Sequence, residues 1–161
     1  MPTGPWQLYS RAKRAIGAGG VAMASGGITL GAGVFKLTLH RPSASANIMR
    51  ISNGGISTWA SVGSEVAGGY GGPPGGYRLS NVRWTVDAVM KDRMNFQFTT
   101  LMVTCRSTMS QIKYAVIRTS TGPTAGKVIC FCTLTATPIT ITNGWIMISN
   151  HVNGSTVFFL A

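Results

Sequence analysis

Few side chains in this sequence are suited to acid–base or nucleophilic chemistry. The carboxylates are Glu65, Asp87 and Asp92 and the histidines are His40 and His151, scattered over 161 residues. A general acid and its base must be held together at tuned pKa values, and no spacing here marks such a pair. Asp87 and Asp92 flank AVMK beside Lys91 and Arg93, the composition of a charged turn between strands. No G-x-S-x-G elbow positions a serine nucleophile. The expectation is a protein that is not an enzyme, with no catalytic residue.

The cysteines, Cys105, Cys130 and Cys132, are odd in number, and the last two sit two apart in the strand-like run KVICFCTL. Side chains at i and i+2 of a strand share a face about 7 Å apart, too far for an unstrained bridge. They are read as reduced, packed thiols. The C-x-C spacing, with neither His40 nor His151 nearby in sequence, predicts no zinc site. The glycine loops fare no better as cofactor sites. GGYGGPPGGY at residues 68–77 has two prolines, no lysine and no helical pattern after it, so it is no phosphate cradle. GAGG at residues 17–20 follows a basic segment and not a strand, which removes the setting of a dinucleotide site. No metal and no cofactor is predicted.

Charge points instead to association. Lys and Arg number 14 against 3 Asp and Glu, for a net charge of +11, and only 11% of residues are charged. Distributed positive charge favours an acidic partner, whether nucleic acid, an anionic protein surface or a membrane face. So low a charge content, with 21 glycines, is unusual for a surface that must stay soluble alone. Much of the surface is therefore expected to be covered by copies of the chain or by other proteins. No apolar run approaches the roughly 18 residues of a membrane span, and no membrane partner is predicted.

The elements that must carry this surface read as strands. QIKYAVIRTS at residues 111–120 has no Gly or Pro and is apolar on both faces, as an inner strand with neighbours on both edges is. A turn, TGPTAG at 121–126, joins it to KVICFCTL at 127–134, predicting a hairpin with two buried arms. VFKLTL at 34–39 alternates, predicting one wet face through Val34, Lys36 and Thr38. RLSNVRWTV (78–86) and FQFTTLMVTC (96–105) each read as one strand. Pro138 precedes ITIT, Asn143-Gly144 reads as a turn into WIMIS, and TVFFL closes the chain. Residues 40–55 read as loop. The expected fold is all-β, an antiparallel β-sandwich or small barrel of about eight strands. It is expected to occupy residues 28–161, preceded by an extended N-terminal arm at 1–27 with two helical turns near residues 8–16.

The order of segments from residue 58 onward resembles a family of small virion proteins of tailed bacteriophages. The shared pattern is a segment ending in Glu-Val, a Gly/Tyr loop before a Leu-containing strand, a Tyr-Ala-Val-Ile strand and a terminal Phe-x-Leu. Here these are SEVAGGYGGPPGGYRLSNVRWTV at 64–86, KYAVIRTSTG at 113–122 and VFFLA at 157–161. The basic, Gly-rich N-terminal segment is longer than the pattern, and acidic residues are scarcer. The resemblance implies a structural role without catalysis, as a capsid cement or decoration (minor capsid) protein located in the virion after assembly in the host cytoplasm. It implies as partners further copies of itself, with a trimer one option, and the major capsid protein. A neck or tail component is the alternative. A basic nucleic-acid-binding module is a second, suggested by Arg78 and Arg83 near Tyr77 and Trp84. A carbohydrate-binding module has only Trp and Tyr near loops in its favour. The expected partner contacts are Trp6, Tyr9, Arg11, Lys13 and Arg14 on the arm, tying one copy to its neighbour, then Tyr70 and Tyr77 on the glycine loop.

Overall fold

The computed structural model describes residues 6–10, 12–13, 34–49, 58–66, 73–86, 94–120, 126–149 and 158–160. Among these the fold is all-β and antiparallel. The main sheet has five strands in the order β1 (Gln7–Leu8), β9 (Val128–Thr133), β8 (Tyr114–Thr119), β2 (Phe35–His40), β3 (Tyr77–Arg78). β8 lies at its centre and is buried at every position, as a strand apolar on both faces requires. Its hairpin partner β9 is buried except at Thr133, so the hairpin and its two buried arms are both present.

Register decides which side chains share a face. Lys36 opposes Arg118 on β8 and Arg78 on β3, and Thr38 opposes Val116. Phe35, Leu37 and Leu39 point the other way, opposite Thr119, Ile117 and Ala115. That second face meets a three-stranded sheet, β12 (Phe158–Leu160), β5 (Met94–Gln97), β4 (Arg83–Val86). Phe35 and Phe96 meet edge to face across the gap, 5.3 Å between centroids, a favoured aromatic geometry. The first face is only partly wet: Val34 and Lys36 are half-buried, and Thr38 is buried, contrary to the alternation in VFKLTL. Thr38 and His40 are buried because residues 58–66 and 73–76 close over them. Val66 N–H donates to Leu39 C=O at 2.8 Å and Leu79 N–H to Phe35 C=O at 2.9 Å. Residues 42–48, read as loop, form a 3-10 turn (Pro42–Ala44) running into one helical turn (Ser45–Ile48), with Ala44 and Ile48 in the core.

Three sequence segments read as single strands are broken. RLSNVRWTV bends at Asn81, φ +48°, between β3 and β4; the side chains of Trp84 and Val86 lie outside the described residues. FQFTTLMVTC divides between β5 and β6 (Leu101–Thr104), which belong to different sheets. QIKYAVIRTS straddles β7 (Thr108–Ile112) and β8, with Gln111 at φ +58°.

The Asn143-Gly144 dipeptide differs most from expectation. β10 (Ile139–Thr142) and β11 (Trp145–Ile148) do not pair with each other; β10 pairs with β7 and β11 with β6. Cys105 N–H donates to Gly144 C=O and Asn143 N–H to Ser107 C=O, both at 2.8 Å, so pairing runs straight through. Cys105, Arg106 and Ser107 oppose Asn143 and Gly144, three residues against two, which is a β-bulge. A second bulge sets Ser110 and Gln111 against Thr140. At the inner end Leu134 N–H donates to Lys113 C=O at 2.8 Å. Residues 101–119 and 128–148 thus make one long, bent hairpin, whose inner third is β8/β9 of the main sheet and whose outer part is a two-stranded ribbon.

The described part of the N-terminal segment lies on this same domain. β1 pairs with the outer edge of β9, with Leu8 opposite Cys130. The chain then enters a helical turn in which Lys13 N–H donates to Tyr9 C=O at 3.0 Å. Trp6, Tyr9 and Ala12 join the core, Trp6 edge-on to Phe98 and Tyr9 against Phe131.

Candidate functional site

Two places stand out, one buried and polar, the other exposed and apolar. The buried one lies where residues 58–66 and 73–76 cover the main sheet. Arg118, 8% exposed, donates through Nε to Gly75 C=O at 3.2 Å and through NH1 to Thr119 C=O at 3.2 Å. Its NH2 also reaches Gly75 C=O. Gly75 N–H in turn donates to Glu65 Oε2 at 3.4 Å, so opposite charges hold the two ends of one glycine. Burial raises the Glu65 carboxyl, against the pull of Gly75 N–H, Arg118 and Lys36. Burial likewise lowers the Arg118 guanidinium, with Glu65 opposing.

His40 sits one step along the same face. Nδ1 donates to Gly63 C=O at 2.7 Å, which leaves Nε2 to accept from the Thr38 hydroxyl at 2.8 Å. Burial pulls this imidazole down to about 4, despite the Gly63 carbonyl. A neutral histidine with both nitrogens occupied has no free position for proton transfer, and the arrangement fastens the covering segments to the sheet. Among the described residues, no three His, Cys, Asp or Glu side chains converge as metal ligands would. Cys105, Cys130 and Cys132 are buried and unbridged. Burial pushes the Cys132 thiol up to about 12 and that of Cys130 well above its usual value, so neither is a ready thiolate.

The exposed place is the far end of the ribbon. Leu101, Val103, Ile146 and Ile148 alternate inward, with Val103 and Ile148 buried. Met102, Trp145 and Met147 alternate outward at 58%, 60% and 57% exposure. Met102 lies directly opposite Met147 and Trp145 opposite Thr104, near enough across the strands for one continuous patch. Toward the main sheet the same outward face turns polar, with Gln111, Thr140 and Thr142 exposed. Beside Met147 lies a small crevice lined by Trp6, Leu134, Ile146 and Ile148 together with the polar Thr135 and Ser149, and no charged side chain lines it.

Of the sequence-predicted contact residues that the structure describes, only Trp6 comes near this patch, at the wall of the crevice beside Met147. Trp6 and Tyr9 are spent on the chain's own core, because β1 brings them onto β9. Burial raises the Tyr9 phenol above its usual range. Lys13 is exposed. Tyr77 is half-buried on β3, its phenol raised by burial. Arg11, Arg14 and Tyr70 lie outside the described residues. Sequence reading missed Met102, Trp145 and Met147. Their signal was a segment apolar on both faces, LMVT and WIMI, which describes an inner strand as well as a ribbon with one face left bare.

Comparison with known protein families, with curated proteins and with solved structures finds no match to this chain.

Proposed function

We propose that this chain is a structural protein of a phage virion, a capsid cement or decoration protein that stabilises the head through contacts between subunits. Its partners are further copies of itself and the major capsid protein, and it performs no catalytic step. The observation that carries this reading is the bare Met102, Trp145 and Met147 face on a paired, in-register ribbon. A patch of this kind is an interaction surface more often than an accident of folding. The net charge of +11 adds attraction to an acidic capsid surface, and the resemblance to small virion proteins supplies the setting. A cryo-EM map of the particle tests it: the reading requires density for this fold on the capsid lattice, and a particle lacking the chain ends it. Density confined to a neck or tail ring would move the protein to that position.

Nucleic-acid binding is the second reading, and one observation favours it. Lys36 and Arg78 face each other across β2 and β3 with Arg78 exposed, an arrangement that costs free energy unless an anion lies nearby; Glu65 serves Lys36, and a phosphate would serve Arg78. Affinity for generic DNA that falls steeply with salt would support it.

A further inference from the structure

We infer that the outward face of the distal ribbon, built from Met102, Trp145 and Met147, is the contact between two copies of this chain. The inference deepens the structural role proposed above and rests on it.

The chemistry of the face selects the occupant. Within residues 101–112 and 139–148 the sole charged side chain is Arg106, although the chain as a whole carries +11. Two copies with that charge repel one another, and screening in salt weakens the repulsion without removing it. Contact between them is least opposed where cations are few, and among the described residues this ribbon joins that scarcity to a bare apolar face. An acidic protein or an anionic membrane would be drawn to the cations elsewhere, such as Lys36 and Arg78. A short antiparallel ribbon also suits a two-fold axis. A second copy turned by half a revolution about an axis in the plane of the face presents the same row of side chains to the first. The contact is then isologous, with Met102 and Met147 near the axis and Trp145 reaching the partner ribbon.

The test is sedimentation of the full chain over a concentration series at low and high salt. The wild type should form dimers that persist or strengthen as salt rises. Met102→Ser, Trp145→Ser and Met147→Ser together should weaken dimerisation on the order of a hundredfold, as loss of the central apolar anchors of an interface does. All three side chains are largely exposed, so the variant should keep its hydrogen-exchange protection along β8. Thr104→Arg provides a second variant that removes no apolar side chain and sets a cation opposite Trp145; it too should abolish dimers. A wild type that stays monomeric throughout, or variants that associate like it, overturn the inference. So does a wild type that remains monomeric yet loses affinity for anionic vesicles when the three serines are introduced. A chain that enters particles but never dimerises through this face sinks the ribbon contact alone. Dimerisation by a chain that never enters particles sinks the virion role alone.

Discussion

The Arg118 guanidinium carbon stands 4.3 Å from the centroid of the Trp59 ring, and the same guanidinium holds Gly75 C=O. One cation thus fastens both covering segments, 58–66 and 73–76, to the central strand. Stacking and planar donation are properties of arginine that lysine lacks. Arg118→Ala should lower stability by about 3 kcal/mol, since it strips Gly75 C=O of its side-chain donor, removes the ring contact with Trp59 and takes away a cation that faces the partly buried Glu65. Arg118→Lys should recover less than half of that. Urea midpoints for the three proteins check it, and full recovery by lysine would show that charge alone suffices.

Glycine is required unequally in these segments. Gly76 has φ +93°, and a Cβ there would press on Leu37 C=O and lie 2.6 Å from Thr38 Cγ2. Gly63 has φ +67°, and a Cβ there would meet nothing within 4 Å. Gly63→Ala should cost about 1 kcal/mol, the backbone term alone. Gly76→Ala should cost at least about 3 kcal/mol, because the loop must lift off β2. Equal effects of the two substitutions in thermal unfolding would contradict the close approach.

Acid should destabilise the protein through His40. An unfolded imidazole titrates near 6.5, whereas burial holds the folded one down to about 4. The folded-state value is depressed, so the stability is complete above pH 6.5, declines as pH falls and is gone below about pH 4. The loss amounts to about 3 kcal/mol. Glu65 acts with the opposite sign, because its raised carboxyl stabilises the fold below the ordinary value of 4.5 and loses that contribution as pH rises. Stability measured from pH 7 to pH 4 should fall for the wild type and stay nearly flat over the His40 window in His40→Gln. A wild-type profile without that fall would place the imidazole in water.

Removing the first 13 residues should damage the domain itself. Deletion takes away β1 and withdraws Trp6, Tyr9 and Ala12 from the core. Burying one large apolar side chain is worth about 1.5–3 kcal/mol, so the loss is comparable with the whole stability of a small domain. Circular dichroism and heat denaturation of the truncated chain check it. Unchanged melting would return this segment to the role of a free arm.

The parts of the fold legible in sequence were those where local pattern and tertiary environment agree. YAVIRT and VICFCT are apolar on both faces, and such strands have nowhere to go but the centre of a sheet. Where polar residues are buried by long-range cover, alternation misleads: Thr38 looks like solvent surface in VFKLTL, yet residues 58–66 and 73–76 close over it. Asn143-Gly144 is a strong hairpin signal, but the strand opposite supplies a bulge at Cys105–Ser107, and that partner lies more than thirty residues away. Trp6 and Tyr9 looked like anchors for another molecule because sequence separation hides the free edge of β9. The ribbon patch was invisible for a related reason: whether Trp145 is core or surface depends on a third layer that no local pattern reports.

Association is the central claim, and counting copies tests it most directly. Quantitative mass spectrometry of purified phage particles should find this chain on the order of hundreds of times per particle, as a contact repeated over a symmetric lattice requires. Particles from which the chain is absent would contradict the account.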